Sequence, residues 1–462
     1  MRPPLNGARV VVVNWRDRGH PHAGGAEEYA ARMADAMTAA GAQVTFLTAK
    51  GEGQSGGDES TVRRGGRWTV YFWALLWLLR NRSRIDLVID CQNGIPFFSP
   101  LVVAGWTKVV LVVHHVHDAQ FAVHFPPWLA RIGRWLEGPA ARRVYRRAVT
   151  VAVSRSTVRA MRDRLGWRGR IFVVPNGTVH PSAADGPRSP HPTLVCLGRL
   201  VTHKRVDRLI EVVGTLRGHW PGLRLHVIGR GPDEAAVREA AARFPDSVVV
   251  HGFVDDSTKS ALLRESWLNV TLSDGEGWGL AVIEAAAHGV PTVCREVDGL
   301  RDSVRHAETG WLVRDDDVAG TINDALTLLA RPDDATAVAD ACRAWAARFD
   351  WVRPVLDFAH LHAVTDGGFT NPDMFAGVLE AADEVMDPGA PFHVHFSDIA
   401  YANRNETKHL PYGEGTLRAE PLRTALRRFK RPATIISESP NEESHQAVKA
   451  ILAPTRRKTR KG

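Results

Sequence analysis

The segment from Thr271 to Pro291, TLSDGEGWGLAVIEAAAHGVP, constrains the fold most, because it joins a strand to a helix through a glycine-rich turn. The apolar run over 267–272 predicts a strand, and the alanine-rich run predicts a helix over 280–288. A helix that starts after Gly277 and Gly279 exposes free backbone N–H groups and the positive end of the helix dipole. The segment therefore predicts an anion-binding site at the carboxyl end of a strand.

Two carboxylates flank this helix start. Glu276 lies in the turn, and Glu284 lies about one turn into the helix. Each carboxylate can accept hydrogen bonds from hydroxyl groups on one side of a bound diphosphate, which is the arrangement that a nucleotide-sugar requires. Either glutamate alone would be an ordinary solvated surface charge, so the prediction depends on their combination with the glycine turn.

The pattern of a Glu, seven residues and a second Glu in GEGWGLAVIEAAAHGVPTV resembles the signature of retaining glycosyltransferases of family 4, which have the GT-B fold. The resemblance implies that Glu276 contacts the donor sugar and that Glu284 holds the ribose. It also implies donor contacts from the residues of the helix start: Gly277, Trp278, Gly279 and Leu280.

Two further strand-to-turn units follow the order of that family. In TLVCLGRLVTHKRVDRLIEVV, Arg199 and Lys204 can converge on phosphate oxygens as a planar fork and a point charge. The resemblance makes them the diphosphate-binding pair that stabilises the departing nucleoside diphosphate. In LRLHVIGRGPDE, the turn at Gly229 and Gly231 borders the nucleobase in the family.

The amino-terminal part resembles the other half of the same site. Gly24 and Gly25 open an alanine-rich helix after the strand ARVVVVNW, and the equivalent glycine loop of the family approaches the donor phosphate or the acceptor. An ordinary strand-to-helix turn explains these glycines equally well. The resemblance places His114, at the end of KVVLVVHH, beside the reacting sugar, although His115 or His117 can also be the occupant of that position.

Strand and helix signals alternate on both sides of the Asn176–Gly177 turn. This alternation predicts an α/β chain with two Rossmann-like, doubly wound domains that face a cleft, with the ligand at the carboxyl ends of the strands. We place the acceptor domain at 1–179 and the nucleotide-sugar domain at 180–352.

The remaining chain resembles a different family. Over 355–452, three strand-like runs each end in Asp, His or Glu, and this part resembles the carboxyl-terminal third of endonuclease IV, a zinc-dependent apurinic endonuclease with a TIM-barrel fold. The resemblance implies a partial barrel of three βα units over 353–452 and a disordered basic tail at 453–462. It also implies five remnant zinc ligands: Asp357, His360, His395, His409 and Glu438.

Three functions follow from these resemblances. The first is a retaining glycosyltransferase that moves a hexosyl group from a nucleotide-diphosphate sugar and needs no metal cofactor. The second is a zinc-dependent DNA-repair endonuclease, expected to be inactive because the strands that carry two histidines and a bridging glutamate are missing. The third is an inactive fusion of the two parts. We favour the transferase, because nearly all of its site residues are present.

Composition indicates the cellular compartment and the partners of the chain. The chain has 462 residues, a net charge of +8 and four cysteines without paired spacing, which favours a reducing cytoplasm and argues against a disulfide framework. No signal peptide is evident at the start. The apolar run over 68–79 is too short to span a bilayer. It either docks peripherally at a membrane interface or packs as a helix against the first domain, and we favour packing. Nucleic acid is an unlikely partner of this chain.

Overall fold

Parallel strands form the two large sheets of this protein. The structure, a computed structural model, describes residues 7–20, 23–51, 60–179, 188–314, 316–349, 355–385, 392–402 and 405–452. The chain divides into two units, Met1–Trp351 and Val352–Gly462. The predicted basic tail at 453–462 lies outside the described residues.

The first sheet has seven parallel strands in the order β3-β2-β1-β4-β5-β6-β7. Its strands are β1 (Arg9–Val13), β2 (Gln43–Thr48), β3 (Thr61–Arg63), β4 (Leu87–Asn93), β5 (Lys108–His115), β6 (Val149–Ala152) and β7 (Ile171–Val173). Its helices are α1 (Gly25–Ala39), α2 (Thr69–Asn81), α3 (Asp118–His124), α4 (Pro127–Trp135), α5 (Ala141–Val144) and α6 (Arg155–Asp163). A π-helical turn over Leu136–Ala140 joins α4 to α5.

The second sheet has six parallel strands in the order β10-β9-β8-β11-β12-β13. Its strands are β8 (Thr193–Leu197), β9 (Arg224–Ile228), β10 (Val248–Gly252), β11 (Leu268–Thr271), β12 (Thr292–Arg295) and β13 (Gly310–Val313). Its helices are α7 (Val206–Leu216), α8 (Glu234–Ala241), α9 (Asp256–Glu265), α10 (Leu280–Ala287), α11 (Leu300–Ser303), α12 (Val318–Leu329) and α13 (Pro332–Ala346). The predicted domain limits at 179 and 352 lie next to or among residues that the structure does not describe, so they stay predictions.

The sheets are built from strands that are buried on both faces. In β1 the run RVVVV buries all four valines, and in β8 all five residues of TLVCL are buried. Continuous apolar runs of this kind are typical of parallel strands covered by helices on both sides. The sequence pattern therefore specifies two doubly wound α/β domains, as predicted.

The apolar run over 68–79 forms α2 and packs against the first sheet. Val70, Ala74 and Leu78, spaced one turn apart, are buried in the same cluster as Val11 and Val88 of the sheet. Of the two alternatives for this run, packing against the first domain is therefore correct for the face of α2 that carries these residues. In the described part of the chain, no helix is long and apolar enough to cross a bilayer.

The last helix of the second domain returns to the first domain. Cys342 and Ala346 of α13 share a buried cluster with Val12 and Tyr29, and Phe349 packs against it. The backbone N–H of Thr178 also donates to the Phe349 carbonyl at 2.6 Å. The returning contact is thus made by residues of α13 and by Phe349.

The carboxyl-terminal unit has its own core and a small parallel sheet of order β14-β15-β18, with an antiparallel hairpin, β16-β17. Its strands are β14 (Val355–Asp357), β15 (Phe392–Phe396), β16 (Asp398–Ala402), β17 (Asn405–Leu410) and β18 (Ala433–Ser437). Its helices are α14 (Phe358–Val364), α15 (Pro372–Val385), α16 (Ala419–Leu426) and α17 (Glu442–Leu452). The three predicted strands are present, but three paired strands do not establish a barrel.

Candidate active site

Two helix starts from different domains face each other in the first unit. A Cβ atom placed on Gly25, the first residue of α1, would lie 3.6 Å from Leu280, the first residue of α10. The Asn176 side-chain amide fixes this approach by donating to the Gly25 carbonyl at 3.2 Å. Each helix start carries a partial positive charge. The predicted glycine turns therefore meet, and their meeting point favours an anion.

The turn before α10 needs glycine at two places. Gly279 has a φ of +102°, a left-handed conformation that side chains disfavour. A Cβ at Gly277 would overlap the carbonyl oxygen of His114, at the end of β5. The glycines thus let the turn lie directly against the first domain.

Lys204 and Glu276 form the charged centre of this region. The Lys204 ammonium pairs with Oε1 of Glu276, and the Ser273 hydroxyl donates to the same oxygen at 2.7 Å. Burial alone would raise the pKa of the Glu276 carboxyl, but the charge and hydrogen bond of Lys204, with Ser273, outweigh burial and hold this pKa below its usual value. Glu276 is therefore ionised at neutral pH and can accept a hydrogen bond from a hydroxyl group.

Glu284 has a different environment on α10. Its Oε1 lies 3.3 Å from the Lys259 ammonium of α9. Burial raises the pKa of the Glu284 carboxyl, and the ion pair with Lys259 only partly offsets this. Glu28 of α1 also raises it, so the first domain acts electrostatically on this carboxyl. A ligand that donates hydrogen bonds to the Glu284 carboxylate would replace the water that this group loses on burial.

Arg199 is in the turn after β8, and no ion-pair partner for it is found among the described residues. The β8 and β9 turns are in tight contact, because a Cβ at Gly229 would overlap the Gly198 carbonyl and one at Gly231 would overlap that of Leu200. Gly229 and Gly231 therefore serve backbone packing here. Contact with a nucleobase stays a prediction.

The three histidines after β5 have different surroundings. The His114 ring is buried edge-on against Tyr29 at 5.2 Å, and burial lowers its pKa to about 4. The His115 ring lies beside the Gly275 backbone and feels the charge of Glu276. The His117 backbone N–H donates to Glu137 at 2.6 Å. Of these three histidines, His115 is thus the one whose ring lies beside the Glu276 turn, and His114 contributes its carbonyl.

Sequence reasoning missed the residues that hold the site together. Glu27 accepts from the Gly24 N–H at 2.8 Å and from Arg16 Nε at 3.1 Å, so the Gly24 amide already has a partner. The Trp278 side chain is buried in the shared core against Phe349, which leaves its backbone as the part that can reach a ligand. Glu27 follows Gly24 by three residues, the spacing of a capping box. That spacing was the available signal.

The proposed zinc remnants are only partly brought together. His395 Nδ1 lies 2.9 Å from Glu438 Oε1, and His409 Nδ1 lies 2.7 Å from the Glu438 carbonyl. Asp357 caps α14 by accepting from the His360 N–H at 2.9 Å. His409 lies on β17, in the antiparallel hairpin rather than at the end of one of the three parallel strands. No cluster of three or more His, Cys, Asp or Glu side chains suited to a metal is found in the described ranges.

Comparison with known proteins defines the class. Residues 191–344 match the family model of glycosyl transferases group 1, and residues 23–180 match that of glycosyltransferase family 4. Each match covers about a third of the chain, and together with the two parallel sheets they give the first unit the two domain types of the GT-B glycosyltransferase fold. Both matches lie within residues 23–344, so they lend no support to the endonuclease IV resemblance, which stays a prediction.

Individual relatives agree with this class. The chain is 26% identical over 200 residues to GDP-mannose:cellobiosyl-diphosphopolyprenol alpha-mannosyltransferase of Komagataeibacter xylinus, covering 42% of this chain and 51% of the relative. It is 27% identical over 272 residues to phosphatidyl-myo-inositol mannosyltransferase of Mycobacterium leprae, covering 52% and 70%. The chain therefore spans about half the length of the first relative.

Solved structures support the fold. Sucrose-phosphate synthase from Thermosynechococcus elongatus superposes with a TM-score of 0.59 at 21% identity, covering 74% of this chain and 95% of that chain. The GT-B arrangement predicted from the sequence is thus confirmed for the first unit.

Proposed function

We propose that this protein transfers a hexosyl group from a nucleotide-diphosphate sugar to an acceptor hydroxyl, with retention of the anomeric configuration and without a metal ion. The observation that carries the proposal is the meeting of the α1 and α10 helix starts beside Lys204, Glu276 and Arg199. A diphosphate placed there meets the partial positive charges of two helix starts and two cations, Arg199 and Lys204, of which Lys204 is shared with Glu276.

Each residue has a role that follows from its surroundings. Arg199 and Lys204 stabilise the negative charge that grows on the diphosphate as the bond from the sugar C1 to its oxygen breaks. The acceptor oxygen bonds to C1 on the same face, and its proton passes to the departing phosphate oxygen. Glu276, ionised, accepts from a sugar hydroxyl, and Glu284 accepts from the ribose.

The names of the two mannosyltransferase relatives support a lipid-linked acceptor. One relative is named for a diphosphopolyprenol acceptor and the other for phosphatidyl-myo-inositol. We therefore propose that the acceptor hydroxyl belongs to a glycan or inositol group attached to a lipid. Thermal-shift screening of nucleotide-sugars would identify the donor.

We expect transfer to survive an excess of EDTA and to give a product with the donor's anomeric configuration. The reason is that Arg199, Lys204 and the helix amides supply the positive charge that a metal ion would otherwise supply at the diphosphate. Proton NMR of the product measures the configuration. Activity that is lost on chelation and restored by manganese, or an inverted product, would contradict this mechanism.

We expect Glu284→Ala to weaken binding of the nucleotide-sugar by about 1 to 3 kcal/mol, the cost of removing one partner of a charged hydrogen bond. Titration calorimetry measures this change. Glu239→Ala is the matched control, because Glu239 is exposed on α8 in the same domain. Equal affinities of the two variants for the nucleotide-sugar would show that Glu284 does not contact the donor.

A further inference from the structure

The helix α4 exposes a row of large apolar side chains. Trp128, Ile132 and Trp135 follow the spacing of one helix face, and the two tryptophans are 64% and 58% exposed. Ala130 and Gly133, on the other side of α4, are buried. Phe121 of α3 packs directly over Gly133, so α4 is held against the domain by its small residues. Its large residues face solvent.

The outer face of α2 continues this row. Trp68 and Phe72, one turn apart, are exposed on the side opposite the buried Val70 and Ala74. The Trp68 ring contacts Phe125, two residues before the start of α4, at a centroid distance of 5.9 Å. The two helices therefore present neighbouring apolar faces. We call the group Trp68, Phe72, Trp128, Ile132 and Trp135 the aromatic surface.

Only positive charge accompanies the aromatic surface along the chain. Residues 61–85 contain six arginines and no Asp or Glu, and residues 119–136 contain Arg131 and Arg134 and no Asp or Glu. Arg67, Arg131 and Arg134 are exposed and have no carboxylate partner among the described residues. Apolar side chains with a one-signed cationic rim are complementary to an anionic lipid surface.

We propose that the aromatic surface docks the first domain onto a bilayer that contains anionic lipids. Tryptophan rings place their apolar body among the acyl chains and their N–H groups at the headgroups, and arginines pair with lipid phosphates. A second copy of this chain is a poorer partner, because docking two aromatic surfaces would bring like-charged arginines together.

The aromatic surface adjoins Arg67, which lies near residues of the candidate active site. The Arg67 guanidinium lies 5.8 Å from the Trp15 ring, and Arg16, next along the chain, feels the charges of both Arg67 and Arg199. Arg67, which also contacts Trp68 of the aromatic surface, therefore lies on the same side of the first domain as Arg16. Docking goes beyond the proposed transfer reaction, and it is measured without donor or acceptor.

The test is sedimentation of the purified full chain with vesicles of phosphatidylcholine alone or with phosphatidylglycerol added. We expect binding to the anionic vesicles that weakens as salt is raised. Arg131→Gln with Arg134→Gln should reduce the partition coefficient about 30-fold, since each arginine near an anionic surface contributes about 1 kcal/mol. Trp128→Ala with Trp135→Ala should reduce it by at least about tenfold, through lost burial of apolar area.

The matched control is Trp106→Ala. Trp106 is 64% exposed, like Trp128, but it lies in the turn before β5 and is not part of the aromatic surface. Circular dichroism checks that each variant folds. No binding to anionic vesicles, equal loss in the Trp106 variant, or a wild-type dimer that the Trp128/Trp135 variant dissociates would each overturn the proposal.

Discussion

Lys204→Ala is expected to lower kcat/KM for glycosyl transfer by at least about a hundredfold, the effect of removing one fixed group that stabilises developing negative charge. Lys204 is the cation paired with Glu276, and that pair lies beside the facing helix starts. The substitution has a second effect, because Glu276 stays buried without its cation. Its pKa then rises, so the variant should lose residual activity at a higher pH than the wild type as the solution is acidified.

The control for this prediction is Lys108→Ala. Lys108 is an exposed lysine at the amino-terminal end of β5, whereas His114 and the candidate site lie at the carboxyl end of that strand. Glu276→Gln separates the two roles of the pair, because it keeps Lys204 and removes only the carboxylate. Steady-state kinetics with the donor found by screening give the result. If Lys204→Ala keeps wild-type kcat/KM, the assignment of the diphosphate site is wrong.

Trp278→Ala is expected to lower the free energy of unfolding by about 3 to 5 kcal/mol, as for other large aromatic side chains removed from a core. Trp278 is 6% exposed, packs on Phe349 at 4.9 Å and shares a cluster with Val12 of the first sheet and Ile283 of α10. The cavity would open in the core that joins the two domains. Urea unfolding followed by circular dichroism measures the change.

An exposed tryptophan provides the comparison. Trp106→Ala should change the free energy of unfolding by no more than about 0.5 kcal/mol, as for most surface substitutions. Trp278→Phe should fall between the two, because it fills part of the cavity. A loss below about 1 kcal/mol for Trp278→Ala would show that the indole is not a core residue and would restore its side chain as a candidate donor contact.

Local patterns predicted the elements around the site well. The helix predicted over 280–288 is α10, Leu280–Ala287, because a glycine turn, an apolar run and a closing glycine all act within one short segment. The strands β1 and β8 were equally clear from their continuous apolar runs. These signals need no information from distant parts of the chain.

Contacts between distant residues were not predictable in the same way. Lys259 pairs with Glu284 across 25 positions, and nothing in either segment marks the pairing. Likewise, the motif identifies Trp278 as part of a helix start, but only the packing of α13 shows that its ring is buried. The β16-β17 hairpin was missed, and His409 with it, because its mixed polar sequence lacks a clear alternation.

The facing starts of α1 and α10 have a consequence for motion. Both ends carry the same sign of partial charge, and they belong to different domains. Glu27 at the start of α1 and Glu276 in the turn before α10 offset part of this charge. A diphosphate bound as proposed would be attracted by both helix starts at once. We therefore expect the donor to act as a counterion that favours the closed arrangement of the two domains, and departure of the nucleotide to favour opening.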